Sequence, residues 1–284
     1  MVEHTAENRG VAGSSPALAI LSSPDLKSRF RALHADGIFV MPNPWDVGSA
    51  KLLATMGFEA LATTSAGLAW SLGKLDMQVT RDELVEHVAA VAAATPLPLN
   101  VDSERCFPDE PGGVAETVGL LAGAGAAGCS IEDFNPATGE IDSLDVAAER
   151  VAIAAGAAPL VLTARAENHL HGVDDLDDTI ARLVAYRDAG ADVVYAPGLR
   201  DLAAIRRVVE EVGVPVNVLA LPVGPSVLEL GAAGVRRISP GGALARAAYG
   251  ALLAGAAELR DEGTSRYSEW GAATDALKGA FGRR

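Results

Sequence analysis

Residues 126–133 read AAGCSIED: a glycine at the end of a helical pattern, a short apolar run and two carboxylates. A glycine followed by a short apolar run recurs in MGFEALAT at 56–63, in AGADVVYAP at 189–197 and in GVRRISP at 234–240. Glycine just past a helix satisfies the last carbonyl groups through a left-handed turn. Continuous apolar runs are typical of parallel strands that are covered on both faces. These segments therefore predict helices that alternate with buried parallel strands.

The chain contains eight such apolar runs, and helical patterns separate them. The runs lie at residues 38–41, 60–63, 97–101, 128–131, 160–163, 192–195, 215–219 and 235–239. Thr80 and Glu83 have the spacing of a capping box, and Ser23-Pro24 is typical of a helix start. Eight strands, seven helical connections and a last helix predict a single-domain α/β fold, the (β/α)8 or TIM barrel. A doubly wound sheet is the alternative, and it is disfavoured because no glycine-rich nucleotide motif follows the first strand.

Composition narrows the class of protein. The 284 residues carry 37 acidic and 23 basic side chains, which gives a formal charge of -14 and suggests no basic patch for nucleic acid or an anionic membrane. No apolar run reaches the roughly 18 to 20 residues of a membrane span. Cys106 and Cys129 cannot build a disulfide framework, so we expect a cytoplasmic protein. Residues 1–22 show no signal-peptide pattern, and we expect a flexible tail there before a barrel domain at 23–284.

Acidic residues follow three successive predicted strands. Asp102 and Glu104 follow the third strand, Glu132 follows the fourth, and Arg165 and Glu167 follow the fifth. Catalytic residues of a barrel lie at the C-terminal ends of its strands, and alternate strand residues share a face. Carboxylates gathered there repel one another unless they are protonated, paired with cations or bound to a metal. An all-oxygen site favours Mg²⁺ or Mn²⁺ over zinc, and Arg165 could hold a carboxylate or phosphoryl group.

Other polar residues have competing structural explanations. Any one of the carboxylates could cap a helix or pair with an arginine, as we expect for Asp46 and Asp133. Residues 64–67 (TSAG) form a small turn whose amides could bind a carboxylate oxygen.

A thiol and two histidines near the predicted site have two interpretations each. We expect Cys106 to be a buried, unreactive thiol, because no base is suitably placed to make it a nucleophile. We expect His169 and His171, beyond the fifth strand, to be a solvated loop pair, with an acid or base role as the alternative.

In these segments the sequence resembles the isocitrate lyase and phosphoenolpyruvate mutase superfamily. The resemblance covers residues 25–259 and rests on the order of NPWDVGSAKLL, TTSAGLAWSLGKLD, LNVDSER, LTARAE, ADVVYAPGL, VPVNVLA and GVRRISPGG. It implies a barrel whose last helix is swapped between subunits of a dimer or tetramer. It also implies enolate chemistry, since members make or break C–C or C–P bonds beside a 2-oxo acid.

The resemblance implies a role for individual residues. Members of the superfamily hold Mg²⁺ with acidic side chains, largely through water. The residues that match these acids here are Asp102, Glu104 and Glu132. Asp76 matches an acid near the substrate, and Arg165 matches the arginine that contacts it. The small turn that binds the oxo-acid end is matched by Thr64, Ser65 and Ala66. We expect Asn217, on the seventh strand, to bind substrate as well.

The chain departs from the lyases of this superfamily after the fourth strand. Isocitrate lyases carry there a Lys-Lys-Cys-Gly-His type segment whose cysteine is the acid/base, whereas residues 131–145 read IEDFNPATGEIDSLD. Cys106-Phe107-Pro108 also replaces a frequent Gly-Tyr-Gly turn, and Glu167 replaces the more usual Asp, so the pocket shape differs. These departures argue against isocitrate cleavage.

We expect a Mg²⁺-dependent C–C lyase that acts on a small 2-oxo or 2-hydroxy carboxylate through an enolate. A phosphonomutase or phosphonopyruvate hydrolase is one alternative. A non-catalytic barrel that binds metal and oxo acid is the other.

Overall fold

The computed structural model describes residues 23–282, so the expected tail at 1–22 lies outside the described residues. All eight predicted apolar runs overlap a strand, and two further strands form a hairpin. The strands are β1 (Phe39–Val40), β2 (Leu61–Ala62), β3 (Leu99–Asp102), β4 (Gly128–Glu132), β5 (Phe134–Asn135), β6 (Glu140–Ile141), β7 (Val161–Arg165), β8 (Val193–Tyr195), β9 (Val216–Leu219) and β10 (Arg237–Ser239).

Helices connect these strands. They are α1 (Ser23–Ala32), α2 (Val47–Ala54), α3 (Ser65–Ser71), α4 (Arg81–Ala94), α5 (Gly113–Gly123), α6 (Leu144–Ala157), α7 (Leu176–Asp188), α8 (Leu202–Val212), α9 (Val227–Ala232), α10 (Ala243–Asp261) and α11 (Thr274–Phe281). The predicted capping box is confirmed at the start of α4, where the Thr80 hydroxyl accepts from the Glu83 amide and Glu83 accepts from the Thr80 amide. Among residues 23–282, no helix combines the length and apolarity needed to cross a membrane.

Eight of the strands pair in parallel and curl into the predicted barrel. Their order is β1-β10-β9-β8-β7-β4-β3-β2. The two outer strands meet, since the Ala62 amide donates to the Pro42 carbonyl at 3.0 Å. The Asn43 side-chain amide adds a bond to the Thr63 carbonyl at 2.7 Å. The α/β barrel predicted from the alternating pattern is confirmed.

Helix α1 packs at the N-terminal end of the barrel. Its Phe30 is fully buried in a small cluster with Phe39, Met41 and Val193. Apolar side chains that leave water here stabilise the fold in proportion to the area they bury. The opposite, C-terminal end of the strands remains open to a cavity.

The glycine pattern is right about helix ends at three places and wrong at one. Gly57, Gly190 and Gly234 have φ of 84°, 106° and 88°, as left-handed helix ends require. In the segment 126–133, however, Gly125 has the left-handed φ of 101°. Gly128 is instead the first residue of β4, where an added Cβ would lie 2.6 Å from the Val161 carbonyl oxygen. Close approach of neighbouring strands, and not a turn, explains this glycine.

Replacing Gly128 with alanine is expected to destabilise the barrel. The new Cβ would also meet the Phe30 ring at 2.7 Å, so the strand pair must move apart. Such overpacking lowers the free energy of unfolding by about 1–3 kcal/mol. Urea denaturation measures the change. Gly156→Ala is the matched control, because a Cβ there meets nothing within 4 Å and alanine favours helix α6. Equal stability of the two variants would contradict the packing argument.

Candidate active site

A cavity of about 410 Å³ opens at the C-terminal end of the barrel strands. Seven of the residues predicted for the site line it: Thr64, Ser65, Ala66, Asp76, Asp102, Arg165 and Asn217. Glu104 and Glu132, the other two, do not line it. The topology therefore gathers most of the predicted residues, which lie far apart in the sequence, around one space.

A row of polar residues crosses five neighbouring strands of the barrel. Register pairs Glu132 with Arg165, Arg165 with Tyr195, Tyr195 with Asn217, and Asn217 with Arg237. Side chains of paired residues on parallel strands point to the same side of the sheet. The row therefore places cations, carboxylate, phenol and amide side by side.

Arg165 is the centre of an ion cluster. Its Nη1 lies 2.8 Å from Asp102 Oδ1 and 3.2 Å from Glu132 Oε2, and its Nε lies 2.7 Å from Glu167 Oε1. Its guanidinium carbon also stands 5.4 Å from the centre of the Tyr195 ring. Burial alone would lower the pKa of Arg165, but the three carboxylates raise it well above its usual range. Arg165 is therefore a fixed positive charge at the cavity wall.

Asp102 connects this cluster to the small turn after β2. Its Oδ2 accepts from the Ser65 amide at 3.1 Å, and its own amide donates to the Thr63 hydroxyl at 2.9 Å. The Ser65 amide, predicted to orient the substrate, is thus bonded to Asp102 in this structure. The Thr64 hydroxyl caps α3 by accepting from the Gly67 amide. The turn is rigid because both its backbone and its side chains are hydrogen-bonded.

Carboxylates outnumber cations on this side of the cavity. Burial, with help from Asp102 and Asp76, raises the pKa of Glu104 to about 8. Burial also raises the pKa of Glu132 well above its usual range, with Arg165 opposing the shift. Burial and then the charge of Asp102 raise the pKa of Asp76. One guanidinium, that of Arg165, is therefore too little positive charge to balance these carboxyl groups when they are ionised.

This donor set fits a divalent cation in charge and in atom type. Oxygen ligands suit Mg²⁺ or Mn²⁺, and an added cation would relieve the repulsion that raises these pKa values. Within residues 23–282, however, no three Asp, Glu, His or Cys side chains converge closely enough to ligate an ion directly. The arrangement suits an ion that keeps much of its water, which is the usual preference of Mg²⁺.

The segment after β4, where isocitrate lyases carry their cysteine loop, is a short tethered hairpin of β5 and β6. Asp142 ends it, and Arg105 Nη2 approaches Asp142 Oδ2 to 3.0 Å while Arg150 binds the same oxygen. Arg182 Nη1 donates to the Asp142 carbonyl at 2.9 Å. Phe134 stacks on His171 with ring centres 3.6 Å apart. The hairpin is fixed from several sides and supplies no thiol to the cavity.

Asp133 and Asp46 have the structural roles that we expected. Asp46 caps α2 by accepting from the Ser49 amide at 2.6 Å. Asp133 Oδ1 accepts from the Glu167 amide at 2.9 Å, and its Oδ2 accepts from the Tyr186 hydroxyl at 2.6 Å.

Removing the Tyr186 hydroxyl is expected to destabilise the protein. Tyr186 and Asp133 are both almost fully buried, so Tyr186→Phe leaves a carboxylate oxygen with fewer donors. The lost bond should lower the free energy of unfolding by about 1–3 kcal/mol in urea denaturation. Tyr267→Phe, at a half-buried position far from this network, serves as the control and should change stability little. If both substitutions lowered the free energy of unfolding equally, the hydrogen bond to Asp133 could not be the cause of the loss.

Cys106, His169 and His171 do not line the cavity. Cys106 is fully buried, and burial raises the pKa of its thiol to about 12, which is the expected unreactive state. The expected solvated pair is wrong for His169, whose side chain is 8% exposed and lies 3.3 Å from the Thr179 hydroxyl. His171 is exposed, stacked on Phe134.

The strand pattern does not single out Tyr195 or Arg237, although both line the cavity. They resemble ordinary strand residues, because each lies within an apolar run. Tyr195 ends β8, and its position at the C-terminal end of a strand could have identified it. Arg237 begins β10, so that signal does not apply to it.

Known proteins that are similar to this chain come from one family. The family model described as phosphoenolpyruvate phosphomutase matches residues 30–260. A crystal structure from Burkholderia cenocepacia J2315, described as a lyase/mutase candidate, has a TM-score of 0.87 and 51% identity over 92% of this chain and 97% of that one. Another from the same organism, described as a phosphonomutase candidate, has a TM-score of 0.79 and 36% identity over 86% of this chain and 100% of that one. "Probable 2-methylisocitrate lyase 2" of Corynebacterium glutamicum is 31% identical over 208 residues, 69% of this chain and 67% of its own.

Proposed function

Since the chain belongs to the phosphoenolpyruvate phosphomutase family, and so to the isocitrate lyase and phosphoenolpyruvate mutase superfamily of enzymes, we propose that it is a Mg²⁺-dependent carbon–carbon lyase. Its substrate is a small 2-oxo or 2-hydroxy carboxylate, and the reaction passes through an enolate. The observation that carries the proposal is the cavity wall where Asp76, Asp102 and Arg165 meet.

The volume of the cavity supports a small substrate. About 410 Å³ lies at the low end of ligand pockets, and its wall presents both charge signs. Arg165, a fixed cation, binds the substrate carboxylate and stabilises the negative charge that develops during cleavage. The turn of Thr64, Ser65 and Ala66 orients the oxo-acid end, and Asn217 donates from the opposite wall.

Asp102, Glu104 and Glu132 hold the ion, largely through water. Bound there, Mg²⁺ supplies a Lewis acid that polarises the oxo or hydroxyl oxygen beside the bond that breaks. Asp76 accepts the proton of a substrate hydroxyl. The raised pKa of Asp76, caused by burial and by Asp102, makes this carboxylate a better base than an exposed one.

A C–P bond enzyme is the second candidate. It is favoured by the 36% identity to a structure described as a phosphonomutase candidate. The hairpin of β5 and β6 carries neither the lysine nor the cysteine of the loop segment in isocitrate lyases. This segment therefore favours neither C–C nor C–P bond cleavage.

Turnover assays separate the two candidates by product. The purified enzyme with Mg²⁺ is incubated with 2-methylmalate-like acids, oxaloacetate and phosphonopyruvate, and the products are identified by NMR. Cleavage of a carbon acid supports the proposal, whereas release or migration of phosphorus supports the alternative. Thermal shift with Mg²⁺ and oxalate, a mimic of the pyruvate enolate, tests the site independently. Stabilisation without turnover of any compound would contradict both.

We also propose that two or four copies assemble through helix α10. Its Leu252, Leu253 and Leu259 are 64%, 70% and 52% exposed, and Trp270 beyond it is 59% exposed. Apolar groups grouped in this way are typical of a subunit interface. Light scattering after gel filtration is expected to give a dimer or tetramer. Leu253→Glu should shift the mass toward the monomer, and a monomeric wild type would contradict the assembly.

A further inference from the structure

The reaction proposed above ends when a carbon atom of the enolate receives a proton. Isocitrate lyases use a cysteine after the fourth strand, but the hairpin of β5 and β6 has none. Two groups on the cavity wall carry an ordinary acidic proton, the Asp76 carboxyl and the Tyr195 hydroxyl. Asp76 follows β2, next to Asp102, whereas Tyr195 ends β8, several strands away around the barrel. The two groups thus reach a substrate from different sides.

Tyr195 is held in place by its neighbours. Its side chain is only 8% exposed, and the Arg165 guanidinium lies over its ring. It stands between Arg165 and Asn217 in the row of polar residues. A buried aromatic ring under a cation has little freedom, so its hydroxyl position is well defined.

A chain of hydrogen bonds lies beside the phenol. Arg237 Nε donates to Asn217 Oδ1 at 3.0 Å, and Asn217 Nδ2 donates to the Ser239 hydroxyl oxygen at 3.1 Å. Burial raises the pKa of the Tyr195 hydroxyl, and the positive charge of Arg165 opposes this shift. The phenol is therefore protonated at neutral pH and has a hydrogen to give to a group in the cavity.

Arg237 supplies the charge that such a donor needs. It is 1% exposed, and within residues 23–282 its hydrogen-bond partners are the neutral groups of Asn217, Thr163 and His34. No carboxylate there forms an ion pair with it. A buried cation without an anion is costly, and a negative charge that forms nearby offsets that cost. Burial lowers the pKa of Arg237 to about 9, and the negative form of Tyr195 opposes this shift.

We propose that Tyr195 is the general acid that protonates the enolate carbon, an inference that rests on the proposed lyase function. In cleavage of a 2-hydroxy acid, the C–C bond breaks, its electron pair enters the enolate, and the hydroxyl proton passes to Asp76. The enolate carbon then takes the hydroxyl proton of Tyr195. Arg165 and Arg237 stabilise the phenolate. After product release, Asp76 loses its proton to water and the phenolate takes one from water.

The test separates carbon protonation from substrate binding. Wild-type enzyme and Tyr195→Phe are incubated in D₂O with Mg²⁺, pyruvate and acetate, the two fragments of a 2-methylmalate-like acid, and NMR follows the loss of the acetate methyl protons. General acid–base catalysis contributes about 10²–10⁴ in rate, so the variant should lose at least about a hundredfold in exchange. Calorimetric titration with oxalate, which needs no proton transfer, should show little change in affinity. Circular dichroism verifies that the variant is folded.

One comparison completes the experiment. Tyr267→Phe removes a hydroxyl outside the cavity and should exchange like the wild type.

The outcomes distinguish this inference from the proposed function. Exchange by Tyr195→Phe at the wild-type rate would overturn Tyr195 as the acid and leave the lyase proposal intact. If the wild type cleaves an acid of the panel without exchanging the acetate methyl protons, the rate at which Tyr195→Phe cleaves that acid is measured instead. An unchanged rate would again overturn the inference. If the wild type neither exchanges acetate nor cleaves any acid, the lyase proposal and this inference both fail.

Discussion

Asp102→Asn is expected to lose Mg²⁺-dependent turnover by about a hundredfold to a thousandfold, the usual cost of losing one charged or polar group at a reacting centre. Asp102 is the carboxylate shared by three parts of the site. One oxygen binds Arg165 at 2.8 Å, and the other accepts from the amide of Ser65 at 3.1 Å. Asparagine keeps the size of the side chain but removes the charge that would hold the ion. It also replaces one of the two acceptor oxygens by an NH₂ group, so Arg165 and the Ser65 amide cannot both donate to it.

Two measurements check this expectation. Initial rates at increasing Mg²⁺ should show that excess metal does not restore Asp102→Asn, and thermal shift should show weaker stabilisation by Mg²⁺ with oxalate. Asp145→Asn, at an exposed position in the first turn of α6, is the matched control and should keep full activity. Wild-type turnover by Asp102→Asn would rule out the metal-site assignment.

Arg165→Gln is expected to have the second large effect, on both activity and stability. Without the guanidinium, the carboxylates of Glu132 and Glu167 stay buried and lose their cation. Breaking a buried ion pair by removing one partner costs about 3–5 kcal/mol in free energy of unfolding. Activity should also fall by at least about a hundredfold, because the charge that stabilises the transition state is gone.

The loss of stability in Arg165→Gln should depend on pH. Burial raises the pKa of both glutamates, and removal of Arg165 removes the charge that opposes this shift. The folded variant then binds more protons than its unfolded chain, so its free energy of unfolding should increase as pH falls from about 8 to about 5. Urea denaturation across this range measures the slope. A slope no steeper than that of the wild type would contradict the buried-pair argument.

An exposed arginine provides the control for this change. Arg207→Gln removes a cation that binds Glu211 and Asp177 at the surface, with the arginine side chain 46% exposed. Exposed ion pairs contribute about 0–1 kcal/mol, so stability and its pH dependence should change little. Arg165→Lys, which keeps the charge but not the fork of donors, should be intermediate in activity.

The sequence predicted the fold well because the signals for strands and helix ends are local. Eight apolar runs, capped helices and terminal glycines each depend on a few neighbouring residues, and all eight runs became strands of one barrel. Gly128 shows the limit of local reasoning. Its sequence context is that of a helix end, yet its small size is needed by Val161 and Phe30, which come from other parts of the chain.

The hairpin after β4 was beyond the reach of sequence reasoning for a similar reason. The segment indicated only that a thiol is absent. The residues that fix it come from elsewhere, because Arg105, Arg150 and Arg182 all converge on Asp142. A sequence shows the charge of each arginine, but it does not show that three of them meet at one residue.

Local sequence patterns predicted the barrel and seven of the residues that line its cavity, since residues at the ends of parallel strands meet at one end of the sheet. How those residues share charge depends on their three-dimensional arrangement. Register aligned Glu132, Arg165, Tyr195, Asn217 and Arg237 across five strands. The fold also left Glu104 and Glu132 out of the cavity lining and brought the Arg165 guanidinium over the Tyr195 ring. Burial and electrostatic interaction depend on distances across the barrel, which no local pattern encodes.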